Sequence, residues 1–198
     1  MENPWQTKGI DVRYENPWIK VEHREVINPN GNPGIYGLVR YKNHAVGVVP
    51  IDDEGYTYLV GQFRYATDRY EWEIPEGGCP VGTDTLATAK RELKEETGLT
   101  ADRWDVLMDF YLSNSVSDEY GVAYVARGLH RGDAEPEDTE ELRLRRVPLH
   151  EAVAMTMDGR IKDALSVLAL QRVALLSMST ESGEANRENT VGSLSGNL

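Results

Sequence analysis

The chain has 198 residues, 40% hydrophobic and 27% charged, which suits one substantial globular core or one domain with a small appendage. Its 33 acidic and 21 basic side chains leave a net charge of −12, which argues against a nucleic-acid or anionic-membrane surface built on clustered Lys and Arg. The single cysteine, Cys79, excludes an intrachain disulfide framework and a Cys-rich zinc site.

The first third reads as β structure. "IDVRYENPWIKVEHREVIN" and "IYGLVRYKNHAVGVVPI" are rich in Val, Ile and Tyr, and the turn signal "NPNGNPG" at 28–34 separates them. "GYTYLVGQFRY" predicts a further strand with Arg64 near its end, and "WEIPEGGCPVG" reads as a Gly- and Pro-rich loop. Helical spacing then runs from about 84 to 97. Strands return at "DVLMDFYLS" and "YGVAYVARGL", an acidic loop "RGDAEPEDTEE" leads into the strand "LRLRRVPL", and "HEAVAMTMDG" and "IKDALSVLALQRVALLSM" read as closing helices. The polar stretch beyond residue 178 has the composition of a disordered tail. This order implies an α/β or α+β domain with a mixed sheet between helical layers. No apolar run approaches the ~20 residues of a membrane span, and "MENPWQTKG" lacks a leader pattern, so cytoplasmic residence without a membrane partner is expected.

The helix over 84–97 has three faces. Leu86, Ala89 and Leu93 share an arc of roughly 60° and form its core contact; Lys90, Arg91 and Lys94 lie beyond that arc. Glu92, Glu95 and Glu96 occupy the remaining stripe, where like charges cost a few tenths of a kcal/mol per pair. Such a stripe is either a solvated acidic face or a site for a hard divalent cation, which takes carboxylate oxygens and bridges them to phosphates. Spacing alone leaves both readings open.

The preceding residues supply the context. From Gly77 the chain reads "GGCPVGTDTLATAKRELKEETGL", which resembles the Nudix box, G-x5-E-x7-R-E-U-x-E-E-x-G-U with U aliphatic. Gly77, Arg91, Glu92, Leu93, Glu95, Glu96, Gly98 and Leu99 are in register; "WEIPEGG" and "VGQFRY" resemble the branch that cleaves ADP-ribose and other nucleoside diphosphate sugars. The resemblance implies an α/β/α sandwich with a mixed sheet, preceded by an N-terminal antiparallel β region that helps build a homodimer. The domain boundaries that follow are 1–43 for the β region, 44–178 for the Nudix domain and 179–198 for the tail.

By the same resemblance, Glu92 and Glu96 hold Mg²⁺ (with Mn²⁺ as a substitute), Glu95 shares or supports the cluster, and the Glu76 carbonyl is a further ligand. Arg91 orients the glutamates, since a guanidinium can only donate. Gly77 permits a backbone conformation that a Cβ would resist, and Gly98 ends the helix. Arg64 is either a phosphate clamp or a structural ion pair, the resemblance favouring the clamp. Glu140 is the first choice for catalytic base, ahead of Glu141 and Asp138. Glu73 and Glu119 support or add to the metal ligands, and Glu73 also binds substrate.

Two departures matter. The box glutamate at position seven is Thr83, which reads as the helix N-cap. The "SPG-x-SDE"-like segment is "SNSVSDE", with Asn114 in place of the proline and Ser117, Asp118 and Glu119 retained; Asn114 and Ser115 can hydrogen-bond a sugar or base. The expected reaction is Mg²⁺-dependent cleavage of a nucleoside diphosphate sugar such as ADP-ribose or GDP-mannose to nucleoside monophosphate and sugar phosphate. The alternatives are a strict ADP-ribose pyrophosphatase and a non-catalytic nucleotide-sugar-binding module.

Overall fold

A computed structural model describes residues 1–132 and 142–192, with side chains described to Met178. The first three strands, β1 (Gln6–Glu15), β2 (Ile19–Ile27) and β3 (Pro33–Tyr41), form an antiparallel sheet of their own. Its second hairpin turns at "NPNGN", where the Asn28 side chain accepts from the Asn30 and Asn32 amides and Gly31 takes a φ of 83°.

β3 passes through Lys42 directly into β4 (Asn43–Pro50), the strand around which the rest is built. A mixed four-stranded sheet has the order β7-β4-β9-β8, with β7 (Glu76–Pro80), β8 (Leu99–Tyr111) and β9 (Tyr120–Arg131). β4 runs parallel to β9 and antiparallel to β7. β5 (Tyr56–Arg64), β6 (Arg69–Glu73) and β10 (Arg143–Pro148) form a second antiparallel sheet, in the order β10-β5-β6. The helices are α1 (Thr85–Thr97), α2 (Leu149–Met157) and α3 (Ala164–Gly192).

β4 is apolar almost throughout because both its faces are covered. Val46 and Val48 join Ala89 and Leu93 of α1 in one core, while Val49 and Ile51 join Met155, Leu165 and Leu170 of α2 and α3 in the other. This is the expected α/β/α arrangement. Gly47 lies on the second face, where a Cβ would come within 3.0 Å of Ile74 and Leu165 side-chain carbons, so the close packing of α3 requires glycine there.

Two local expectations change. "WEIPEGGCPVG" is not simply a loop: Glu76–Pro80 is an edge strand on β4, in register Gly47↔Glu76 and Val46↔Gly77. Its glycines hide the strand pattern, and an edge position tolerates its terminal Pro80. The N-cap of α1 is Asp84, whose side chain accepts from the Leu86 amide at 2.9 Å, and not Thr83. Thr83 instead closes the preceding turn, its hydroxyl donating to the Pro80 carbonyl at 2.7 Å. Gly98 ends the helix as expected, with φ 69° and its amide bonded to the Lys94 carbonyl. Asp84→Ala is expected to lower stability by about 1 kcal/mol, the usual cost of losing such a cap. Thermal unfolding checks this, and turnover should be retained.

α3 extends past Met178, where the sequence reading ended its helix. The side chains of 179–192 and residues 193–198 lie outside the described residues, as does the acidic loop at 133–141 with Asp138, Glu140 and Glu141. Among the described residues no helix is long and apolar enough to cross a membrane.

Candidate active site

The site is assembled around β7. α1 runs past this strand, bringing the buried Glu92 and Glu96 (8% and 5% exposed) against its backbone. The Glu76 amide donates to Glu96 Oε2 at 3.0 Å. At Gly77, a Cβ would stand within 2.7 Å of Glu92 Oε1, Cδ and Oε2. Glycine is therefore required by the approach of a carboxylate. A positive φ is not the reason, since Gly77 has none. Arg91 reaches both neighbours, donating through Nη2 to Glu92 and through Nη1 to Glu95. Its fork sets two glutamates of the stripe in fixed directions.

On the opposite flank, Arg64 at the end of β5 bonds Glu73 through Nε at 3.0 Å and Nη2 at 2.5 Å, and Glu76 Oε1 at 3.2 Å. Asp163 completes this group: Glu73, Glu76 and Asp163 each offer a carboxylate oxygen within 4.8 Å of the others. Burial, together with Asp163 and Glu73, pushes the Glu76 carboxyl well above its usual range. Burial also raises Glu73, despite its bond to Arg64. Three carboxylates thus face one guanidinium, and Glu76 Oε2 is buried with no hydrogen-bond partner among the described residues. An oxygen-only donor set with an orphaned buried oxygen fits a hard divalent cation. Asp163 has a second task, accepting from the Ser166 amide at 2.7 Å at the start of α3. The Ser166 hydroxyl in turn accepts from the Ile74 amide, fixing the strand connection between Glu73 and Glu76.

Two open cavities meet at Arg64 and Glu76. One, of about 450 Å³, is lined by Glu71, Glu73, Lys162 and Asp163 among others. The other, of about 380 Å³, is bounded by Trp18, Tyr41, His44, Gly77, Gly78 and Glu119. Glu119 is hydrogen-bonded to the Tyr41 side chain, and burial raises its carboxyl. The two cavities together suit a ligand longer than a single sugar or phosphate.

A NUDIX domain model matches residues 42–168. An ADP-ribose pyrophosphatase of Mycobacterium tuberculosis is 35% identical over 176 residues, covering 87% of this chain and 84% of that protein. The chain belongs to the Nudix family. Such relatives, named as pyrophosphatases, support a hydrolase enzyme for this Nudix chain. A methanol dehydrogenase activator of Bacillus methanolicus is 33% identical over 159 residues, covering 79% of this chain and 85% of that one. A crystal structure of an ADP compounds hydrolase shares the fold, with TM-score 0.80 at 24% identity over 89% of this chain and 95% of that one.

Among the residues singled out from the Nudix sequence, Arg64, Glu73 and Glu76 come together, and Arg91, Glu92, Glu95 and Glu96 form the neighbouring group. Asn114 and Ser115 lie elsewhere, exposed on the β8–β9 connection, where the Ser115 carbonyl accepts from the Tyr36 hydroxyl. Glu140 lies outside the described residues. Sequence reasoning missed Asp163, because an Asp before an apolar helical run reads as an ordinary cap. It also missed Trp18 and Tyr41, which become site residues only through the docking of the N-terminal sheet.

Proposed function

We propose that this Nudix protein hydrolyses the pyrophosphate bond of a nucleoside diphosphate sugar, ADP-ribose or a hexose conjugate such as GDP-mannose, to nucleoside monophosphate and sugar phosphate. The observation that carries this reading is the seating of Glu92 and Glu96 on the Glu76–Gly77 backbone, beside the Arg64 group. Glu92, Glu95 and Glu96, with the Glu76 carbonyl, would hold Mg²⁺ (or Mn²⁺), and Glu73, Glu76 and Asp163 offer a second set of oxygens. Such an ion neutralises pyrophosphate charge and favours ionisation of water. Arg91 keeps Glu92 and Glu95 apart and aligned. Arg64, already spanning two carboxylates, presents a guanidinium to the junction of both cavities and clamps phosphate oxygens there. Glu73 holds that guanidinium in place.

Glu140 is proposed as the base. Glu140→Gln is expected to lower turnover by about 10²-fold or more, the scale of general-base catalysis, with unchanged thermal unfolding. An unaltered rate would remove Glu140 from the mechanism and turn attention to Glu141 or Asp138.

Thr83 favours a second reading, a module that binds nucleotide sugars without cleaving them, since no carboxylate stands at that box position. Incubation with ADP-ribose, GDP-mannose and UDP-glucose, with products identified, separates these readings. Binding without products supports the module. Cleavage of ADP-ribose alone supports a strict ADP-ribose pyrophosphatase, whereas Asn114 in place of the proline favours a wider range.

The N-terminal sheet is proposed to pair with that of a second copy. By register Ile10 and Val12, opposite Arg24 and Glu22, share one face of the sheet, while Tyr14 and Ile35, opposite Val21 and Glu25, share the other; all four are exposed, apolar surface that suits a symmetric partner.

A further inference from the structure

The retained "SDE" triplet has no task in the reaction outlined above. Yet it is the most heavily bonded part of the β8–β9 connection. Asp118 Oδ2 takes Arg40 Nη1 at 2.8 Å, and its Oδ1 takes the Tyr41 amide at 2.9 Å. The backbone adds a parallel bridge between Val39 and Ser117, with Val39 N–H donating to the Val116 carbonyl at 2.8 Å. Within the loop, the Ser117 hydroxyl donates to the Ser113 carbonyl at 3.1 Å, holding the turn that presents the triplet. Burial opposes the Asp118 charge, but the bonds from Arg40 and Tyr41 prevail and hold its carboxyl below the ordinary range.

These bonds fall at one junction. Tyr41 is the last residue of β3, two positions before β4 begins, and its side chain meets Glu119. Lys42 N–H donates to the Trp18 carbonyl at 2.9 Å, so the start of β2 is tied to the same place. Trp18, Tyr41 and Glu119 all border the cavity that opens onto Gly77. The wall opposite the box strand is thus made by the N-terminal sheet and the triplet, and the Asp118 carboxylate joins them.

We propose that Asp118 is a positioning residue for substrate binding: by gripping Arg40 and Tyr41 it holds Tyr41 and Glu119 on the cavity wall, where they meet the sugar or base of a nucleoside diphosphate sugar. This rests on the reading of the chain as a nucleotide-sugar hydrolase. Asp118 itself touches no reacting atom. The box glutamates and Arg64 are held by separate bonds, so disturbing the junction weakens binding and spares the chemical step.

The test compares wild type with Asp118→Ala, Asp118→Asn and Tyr41→Phe. Steady-state kinetics with ADP-ribose and GDP-mannose are paired with calorimetric binding of the same two compounds in EDTA. Small displacements of a positioning group cost up to about 10²-fold, so D118A is expected to raise KM and Kd about tenfold with kcat within about twofold. D118N keeps an acceptor for the Tyr41 amide and recovers most of the affinity. Y41F frees Glu119 without disturbing the Asp118 bonds and raises KM similarly, which carries the test if D118A does not fold. Unchanged KM in D118A and Y41F, or a fall in kcat with KM unaltered, overturns the positioning role. A wild-type chain that neither binds nor cleaves either compound overturns the hydrolase reading, and this proposal with it.

Discussion

Glu96→Gln is expected to reduce turnover of a nucleoside diphosphate sugar by about 10²- to 10³-fold, corresponding to several kcal/mol of lost charge stabilisation. The substitution separates charge from shape. Glu96 Oε2 accepts the Glu76 amide at 3.0 Å, and the glutamine oxygen can accept the same bond. Strand β7 therefore stays seated on α1, while one negative charge leaves the stripe. Thermal unfolding should change little, because the Glu76 amide keeps its acceptor. Raising the divalent-ion concentration should recover part of the lost rate. Full activity in Glu96→Gln would mean that Glu96 seats β7 but holds no ion.

Gly77→Ala is the second large effect, for a different physical reason. A methyl group there overlaps the Glu92 carboxylate. That carboxylate is the far end of a flexible side chain, so the protein can swing it aside at modest cost, within the 1–3 kcal/mol typical of overpacking. Glu92 would then leave the position in which Arg91 holds it. Turnover is expected to fall by about 10²-fold, the penalty of misplacing a group by about an ångström. Melting should fall by about 2–12 °C. A variant that loses stability and activity in proportion would assign Gly77 a folding role. A fully active one would show that Glu92 works elsewhere.

These two residues also show what the sequence could and could not reveal. The stripe Glu92, Glu95 and Glu96 was visible because helical spacing converts sequence positions directly into a face. Gly98 was legible as a helix stop for the same local reason. Gly77 was correctly singled out by the box pattern, but its cause was misjudged: the backbone is ordinary, and the constraint comes from a side chain fifteen positions later. The Asp84 cap lay one residue beyond Thr83, a shift that only the turn bonded to Pro80 resolves. β7 was hidden because its two glycines carry no β signal, and what makes it a strand is pairing with β4.

The remaining parts of the site are products of tertiary packing. Arg64 was foreseen as a clamp or an ion pair, and it is found bonded to Glu73 and Glu76, a result that depends on β5, β6 and β7 converging. Asp163 arrives from the start of α3, far along the chain. Trp18 and Tyr41 reach the cavity through the N-terminal sheet, and the bonds that dock this sheet involve Asp118, whose partners at Arg40 and Tyr41 no local pattern could supply.

The carboxylates around β7 are proposed to bind a divalent cation for pyrophosphate hydrolysis. The most direct measurement is release of AMP and ribose 5-phosphate from ADP-ribose, followed by chromatography while Mg²⁺ is titrated from zero in the presence of chelator. No release is expected without the ion, saturable release with it, and both products in equal amounts. Equal rates with and without a divalent cation, or ADP-ribose and hexose conjugates bound but left intact at saturating Mg²⁺, would contradict this proposal.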